Sequence, residues 1–101
     1  MKQYKIEIKD NVHIAIREIG EYIFRFSFNK TSSDTTVKNL YQEFFSLTIF
    51  PYRFPILNEN YRVMTVDKKY RILYTVVEQD QTVIIAKIFS SYENYDEQIN
   101  F

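Results

Sequence analysis

The chain has 101 residues, and its 13 basic and 13 acidic side chains give a formal net charge of zero. Because it contains no cysteine and a single glycine, disulfides, thiolate nucleophiles, cysteine-based zinc sites and glycine-rich phosphate loops are excluded. A neutral chain also lacks a general electrostatic attraction to nucleic acid. Hydrophobic residues make up 46% of the sequence and aromatic residues 18%. That is enough for one dense core, so we expect a single domain over residues 1–101.

No segment resembles a secretion signal, and no apolar run approaches the length that spans a bilayer. We therefore expect a cytoplasmic protein without a membrane partner. The only histidine, His13, cannot form a metal cluster by itself, and we expect it to be a hydrogen-bonded surface side chain. No residue pattern calls for a metal or another cofactor, and we predict none.

The first part of the chain predicts a strand and a helix. Residues 3–9 alternate between apolar and polar side chains, which is typical of a half-buried strand. Asp10 and Asn11 end this strand and are candidate caps for the helix that follows. Gly20 lies within that helix and indicates close packing against a neighbouring helix. Over residues 12–28, apolar side chains recur at helical spacing, at Val12, Ile16, Ile19, Ile23 and Phe26.

A second helix is predicted after a polar connector over residues 29–33. Its candidate N-caps are Ser32, Ser33 and Asp34, and Pro51 ends it. The short connector makes the two helices an antiparallel hairpin. One broad apolar face is formed by Val37, Leu40, Tyr41, Phe44, Phe45 and Leu47. Some aromatic side chains are candidates for contact with an amphipathic helix of a partner, although core packing explains them more simply: Tyr22, Phe24, Phe28 and Tyr52.

The second half predicts an aromatic loop over residues 51–58 and then three strands, at Tyr61–Val66, Tyr70–Val77 and Thr82–Phe89, with hairpin-sized breaks between them. Residues 92–101 are polar and are expected to form a short helix or a tail. The predicted fold is therefore α+β with two layers, in which an N-terminal strand and a helical hairpin pack on a mainly antiparallel four-stranded sheet. The first strand must pair with a later one, since its edge would otherwise stay open.

Two arginines within these strands, Arg62 and Arg71, are the main candidate site residues. A guanidinium group binds phosphate or carboxylate with two-point geometry and could stabilise charge that develops on a scissile phosphate. The alternative is a structural arginine that is paired with an acidic residue or lies at the sheet edge. Strand register decides whether the two side chains share a face, because a slip of one residue reverses the answer.

Further candidates lie beside the strands. Lys68 and Lys69 occupy a tight turn close to Arg71 and could contact phosphate, although a solvated turn is the commoner role for such lysines. Tyr92 and Tyr95 follow the last strand. A tyrosine there could transfer protons or stack on a base, and packing of the tail against the core is the alternative.

The element order, together with residues 61–95 (YRVMTVDKKYRILYTVVEQDQTVIIAKIFSSYENY), resembles the RelE/ParE superfamily of bacterial toxins. The resemblance covers nearly the whole chain and implies a type II toxin–antitoxin system of the plasmid-stabilisation kind. RelE-like members of that superfamily cut mRNA on the ribosome, and YoeB-like members use a glutamate with a C-terminal histidine and tyrosine. ParE-like members inhibit DNA gyrase without cutting. Each kind is neutralised by a cognate antitoxin whose C-terminal segment wraps around the toxin.

The nuclease pattern carries over only in part. Arg71 matches the arginine that RelE-like nucleases use, and Arg62 matches a basic position on the preceding strand. Met64 and Glu93 stand where such nucleases have basic residues, and no histidine follows the last strand. If the chain is a nuclease, the resemblance implies the catalytic residues Arg62, Arg71, Tyr92 and Tyr95. From their position in the chain, and not from the resemblance, Lys68, Lys69 and Arg71 are the candidates for contact with phosphate or another target.

These departures favour a ParE-like toxin that binds gyrase and cleaves nothing. Two alternatives stay open: a ribosome-dependent mRNA endoribonuclease (an mRNA interferase), and a degenerate member that keeps only antitoxin binding.

Overall fold

The computed structural model of the protein describes residues 3–90. A single sheet with strand order β1-β4-β3-β2 is covered on one face by two helices, which confirms the predicted two-layer α+β fold and its element order. In chain order the elements are β1 (Lys5–Ile8), α1 (Asp10–Ser27), α2 (Lys30–Ser46), β2 (Arg62–Val66), β3 (Tyr70–Val77), a 3-10 turn (Glu78–Asp80) and β4 (Thr82–Ser90).

The sheet is antiparallel except at one edge. Strands β2, β3 and β4 form antiparallel neighbours, whereas β1 pairs in parallel with β4.

The β2–β3 turn is closed by the Lys69 amide, which donates to the carbonyl oxygen of Val66 at 3.1 Å. Its central residues Asp67 and Lys68 have φ values of 54° and 59°. Two consecutive positive φ angles match the twist of the flanking strands, and aspartate tolerates this conformation better than most residues.

The core lies between the helices and one face of the sheet. Strand register places alternate residues of each strand on this face, because successive side chains of a strand point to opposite sides. The largest side chains that are almost fully buried in this core are Tyr74, Phe44, Ile16, Leu40, Leu47, Met64, Ile72 and Ile85. No helix in the described part of the chain is long and apolar enough to cross a membrane.

The start of α1 differs from the prediction. The helix begins at Asp10, and the residue before it, Lys9, provides no side-chain cap. Asn11 instead donates from Nδ2 to the carbonyl oxygen of Ala86 at 3.0 Å. Ala86 is the extra residue in β4, since Leu73 pairs with Lys87 and Tyr74 pairs with Ile85. Asn11 therefore satisfies a carbonyl at a β-bulge, where the ladder is interrupted.

The helical hairpin is tighter than the sequence predicted. Only Phe28 and Asn29 separate α1 from α2, and Phe28 ends α1 with a φ of 54°. The N-cap of α2 is Asn29, whose Oδ1 accepts from the Ser32 amide at 3.1 Å. The predicted caps Ser32, Ser33 and Asp34 were wrong, because the helix has already begun at Lys30. It also ends at Ser46, ahead of the predicted stop at Pro51.

Gly20 lies at the point where the two helices meet, which confirms its predicted role. Its backbone is buried, and its carbonyl oxygen accepts from Ser33 Oγ at 2.7 Å. A Cβ atom at this position would lie 3.1 Å from Val37 Cγ2 and 3.2 Å from Ser33 Oγ. Such distances are shorter than ordinary van der Waals contact, so the absent side chain allows the close approach of α2.

Candidate functional site

The loop after α2 is held to the sheet edge by Arg62. One guanidinium nitrogen, Nη1, donates to the carbonyl oxygens of Tyr52 at 3.0 Å and of Phe54 at 2.7 Å. The guanidinium carbon also lies 5.0 Å from the centre of the Tyr52 ring, which adds a cation–π contact. Arg62 has this reach because it is the first residue of β2, at the edge of the sheet next to the loop. Of the two roles that the sequence left open, this geometry is that of a structural arginine, although its partners are carbonyl groups and not carboxylates.

Tyr74, on the core face of β3, binds the start of the same loop. Its buried hydroxyl donates to the carbonyl oxygen of Pro51 at 2.7 Å. Burial raises the pKa of Tyr74, because the ionised phenolate would lose its hydration, and the nearby Arg62 charge acts in the opposite direction. The Val63 amide donates to the carbonyl oxygen of Pro55 at 3.1 Å and completes the attachment. Four hydrogen bonds, donated by Arg62, Tyr74 and Val63, thus define the conformation of residues 51–55.

A cluster of two tyrosines and one carboxylate holds the same loop at Tyr52. The Tyr4 hydroxyl lies 2.9 Å from each carboxylate oxygen of Glu78, and the Tyr52 hydroxyl donates to Glu78 Oε2. The hydrogen bond to Glu78 raises the pKa of Tyr52 to about 12, with further contributions from desolvation and from the negative charge of Glu78. The hydrogen bond that Tyr4 donates to the same carboxylate is the main reason that the pKa of Tyr4 is raised. Glu78 therefore links the N-terminal strand, the loop and the end of β3.

This cluster predicts that the free energy of unfolding decreases at alkaline pH. Because the pKa of Tyr52 is about 12 in the folded chain against an ordinary value of 10.0, its stabilising contribution is complete below pH 10. The contribution is then lost as the pH rises toward 12. NMR titration of the tyrosine Cζ resonances should show Tyr52, assigned with Tyr52→Phe, ionising with a pKa of about 12. Glu78→Gln should return its midpoint toward the ordinary value, and an unchanged midpoint would contradict the role of Glu78.

The outer face of the sheet, away from the helices, carries Arg71. Strand register pairs Arg71 with Thr65 on β2 and with Phe89 on β4. On the same face, the Lys87 ammonium lies 4.9 Å from the centre of the Phe89 ring. The exposed turn residues Lys68 and Lys69 directly precede β3 and lie at the same end of the sheet as Arg71. The structure thus brings the three predicted phosphate-binding residues to one end of the sheet.

The predicted catalytic residues are not all brought together. Arg62 pairs with Tyr74, whose side chain is in the core, whereas Arg71 lies on the outer face. The two arginines therefore occupy opposite faces of the sheet, which answers the question that register had left open. Tyr92 and Tyr95 lie outside the described residues. The catalytic roles of all four stay predictions.

Several aromatic side chains are exposed on the helical hairpin and the loop. Tyr22, Phe24, Phe28 and Tyr52 are exposed, so core packing does not explain them. Phe26 and Phe45, which the periodicity assigned to the buried faces, are also exposed, because α1 extends past the edge of the core and α2 turns Phe45 away from it. His13 is exposed and lies 2.7 Å from the Tyr41 hydroxyl through Nδ1, as expected for a hydrogen-bonded surface histidine.

Sequence reasoning did not find the Glu78 cluster. Tyr4 and Glu78 are separated by 74 positions in the chain, and neither belongs to a motif with a characteristic spacing. Only the parallel pairing of β1 with β4 brings them together, since it places the N-terminus beside the turn that follows β3.

Comparison with a family model identifies the class of protein. The model described as the ParE toxin of type II toxin–antitoxin systems (parDE) matches residues 6–95. The chain therefore belongs to the family of ParE toxins of type II toxin–antitoxin systems, which confirms the resemblance to the RelE/ParE superfamily. No curated protein sequence matches the chain significantly.

Solved structures share the fold at low sequence identity. A chain of the chromosomal ParDE toxin–antitoxin system from P. aeruginosa has a TM-score of 0.74 at 10% identity, covering 87% of this chain and 96% of that one. A chain of the toxin–antitoxin complex RelBE2 from Mycobacterium tuberculosis has a TM-score of 0.66 at 16% identity, covering 92% and 97%. The isolated E. coli toxin RelE has a TM-score of 0.64 at 13% identity, covering 95% of both chains.

Proposed function

We propose that this chain inhibits growth by binding DNA gyrase without cutting RNA, and that a cognate antitoxin neutralises it in the resting cell. The observation that carries the proposal is the separation of Arg62 and Arg71 onto opposite faces of the sheet. A phosphoryl-transfer site needs its charged groups to converge on one phosphate. Arg62 is instead engaged with two carbonyl groups of the chain itself.

The proposed partners follow from the family. The matched family is that of toxins from toxin–antitoxin pairs, and two of the solved structures of similar fold come from ParDE and RelBE2 toxin–antitoxin systems. The exposed aromatic side chains of the hairpin suit an amphipathic segment of an antitoxin. Because gyrase and ribosomes are both cytoplasmic, the proposal places this protein in the cytoplasm.

Induced expression tests the proposal. Without a partner gene the chain should arrest growth, leave transcripts intact and trigger the response to DNA damage, and the purified protein should inhibit supercoiling by gyrase. Co-expression with the antitoxin from the neighbouring reading frame should restore growth. Unimpaired growth after induction would contradict every form of toxin activity and would favour the degenerate member that keeps only antitoxin binding.

The second candidate is a ribosome-dependent endoribonuclease that uses Arg71. The basic end of the sheet favours it, because the turn residues Lys68 and Lys69 directly precede β3, which carries Arg71. In that case Arg71→Ala should reduce transcript cleavage by at least about a hundredfold, as expected when a charge-stabilising group is removed, and should leave the circular-dichroism melting curve nearly unchanged. Lys5→Ala, at the opposite end of the sheet, is the control. Intact transcripts during growth arrest would exclude this candidate and leave the gyrase proposal standing.

A further inference from the structure

One flank of α1 carries an apolar stripe that the described core uses only in part. Ala15, Ile19, Tyr22 and Phe26 recur at steps of four, three and four residues, which is the heptad spacing of helices that pair along their length. Ala15 and Ile19 are half-buried, whereas Tyr22 is 47% and Phe26 67% exposed. The Tyr22 and Phe26 rings pack with their centroids 4.5 Å apart and form a continuous apolar surface.

An open groove runs beside this stripe. Ala15, Ile19 and Tyr22 lie on one wall, and the start of α2, the β2–β3 turn with Tyr70, and the end of β4 form the rest. Its volume of about 840 Å³ is comparable to that of pockets that enclose a small-molecule ligand. Large side chains from a second molecule therefore have room beside α1.

The charged residues along one edge of the stripe can form ion pairs with the same residues of a second copy of the chain. Glu18 and Arg25 are seven residues apart, so they occupy the same heptad position on the same edge. Neither forms an ion pair within residues 3–90. When two identical helices pack antiparallel, the residues at this edge position face one another in reversed order. Glu18 of one copy then meets Arg25 of the second copy, and the pair is repeated by symmetry. A parallel arrangement in register would place like charges at the same level.

We propose that this flank of α1 is a homodimer surface, on which a second copy of this chain packs antiparallel about a two-fold axis between Gly20 and Glu21. This alignment sets Ala15 opposite Phe26 of the second copy and Ile19 opposite Tyr22 of the second copy, so a small side chain faces a large one in the outer layers. Both copies use the same patch, as a closed two-fold dimer requires. The proposal is independent of growth inhibition, because dimerisation is measured on the purified chain without a target.

Charge reversal tests the pairing. Light scattering and sedimentation velocity of the full chain over a wide concentration range should show a species of twice the monomer mass. Glu18→Arg and Arg25→Glu should each weaken association by about tenfold or more, since each creates two repulsive pairs in place of two attractive ones. The double variant E18R/R25E should restore the dimer. Glu21→Arg and Arg17→Glu make the same charge changes on the opposite flank of α1 and should have no effect.

Truncation of the exposed aromatic side chain provides an independent readout. Phe26→Ala should abolish the dimer, whereas Phe45→Ala, which removes an exposed phenylalanine from α2, should not. Circular dichroism establishes that each variant is folded. A chain that stays monomeric at all concentrations overturns the proposal, even if an antitoxin peptide binds this flank. A dimer that survives the single reversals, or is not restored by the double variant, overturns it as well.

Discussion

Replacing Arg62 by alanine is expected to lower the free energy of unfolding by about 2–4 kcal/mol. The substitution removes both hydrogen bonds from Nη1 and the cation–π contact with Tyr52. It also leaves the carbonyl groups of Tyr52 and Phe54 without this donor, which adds a cost where water cannot replace it. Urea unfolding followed by circular dichroism measures the change. Amide exchange should rise at Val63, whose hydrogen bond to Pro55 joins the loop to β2.

Arg62→Lys is the matched control for this prediction. A lysine ammonium keeps the charge and can donate to the same carbonyl groups, but it lacks the planar guanidinium that lies over the Tyr52 ring. We expect it to recover part of the lost stability. If the urea concentration at the unfolding midpoint is the same for Arg62→Ala as for the wild type, Arg62 does not anchor the loop. If Arg62→Lys retains stability but abolishes RNA cleavage in cells, Arg62 acts on a substrate and the non-cleaving proposal fails.

Gly20→Val should destabilise the chain by about 2–3 kcal/mol. The added methyl groups would overlap Val37 and Ser33, because a Cβ atom alone already lies 3.1 Å and 3.2 Å from them. Displacing Ser33 would also break its buried hydrogen bond to the Gly20 carbonyl. Thermal unfolding followed by circular dichroism measures the loss.

Two further variants separate packing from helix propensity. Gly20→Ala should be nearly neutral, since the gain of about 1 kcal/mol in helix propensity offsets the close contact. Combining it with Val37→Ala should be less destabilising than the sum of the two single changes, because truncation of Val37 makes room for the new methyl group. Strict additivity would mean that Val37 does not limit the space at Gly20.

The positions of the two arginines determine how the site should be tested. Arg62 acts on the loop, and Arg71 lies on the outer face with Thr65 and Phe89. Loss of toxicity in an Arg62 variant is therefore interpretable only beside a stability measurement. Arg71 lies outside the core between the helices and the sheet, and loss of toxicity in an Arg71 variant is read beside the same stability measurement.

Local pattern was sufficient to predict the elements of this fold. Three local patterns indicate which side of an element is buried. They are the alternation over residues 3–9, the helical spacing from Val12 to Ile23 and the dense β-branched runs after residue 60. β3 was predicted with the correct ends, Tyr70–Val77. The ends of the helices were less accurate, because capping depends on side chains that compete for the same backbone amides. Asn29 supplies the cap of α2 in place of Ser32, Ser33 or Asp34.

What the sequence determined by itself was the order of elements and the two-layer architecture, because these depend on the periodicity of apolar residues along the chain. The family entered through the resemblance of residues 61–95. The tertiary structure alone decided which groups meet. Parallel pairing of β1 with β4 brings Tyr4 to Glu78, and the pairing of β2 with β3 places Arg62 and Arg71 on opposite faces. The physical reason is that side chains alternate between the two faces of a strand, so the pairing of one strand with the next decides which residues share a face, and this pairing joins residues that are distant in the chain.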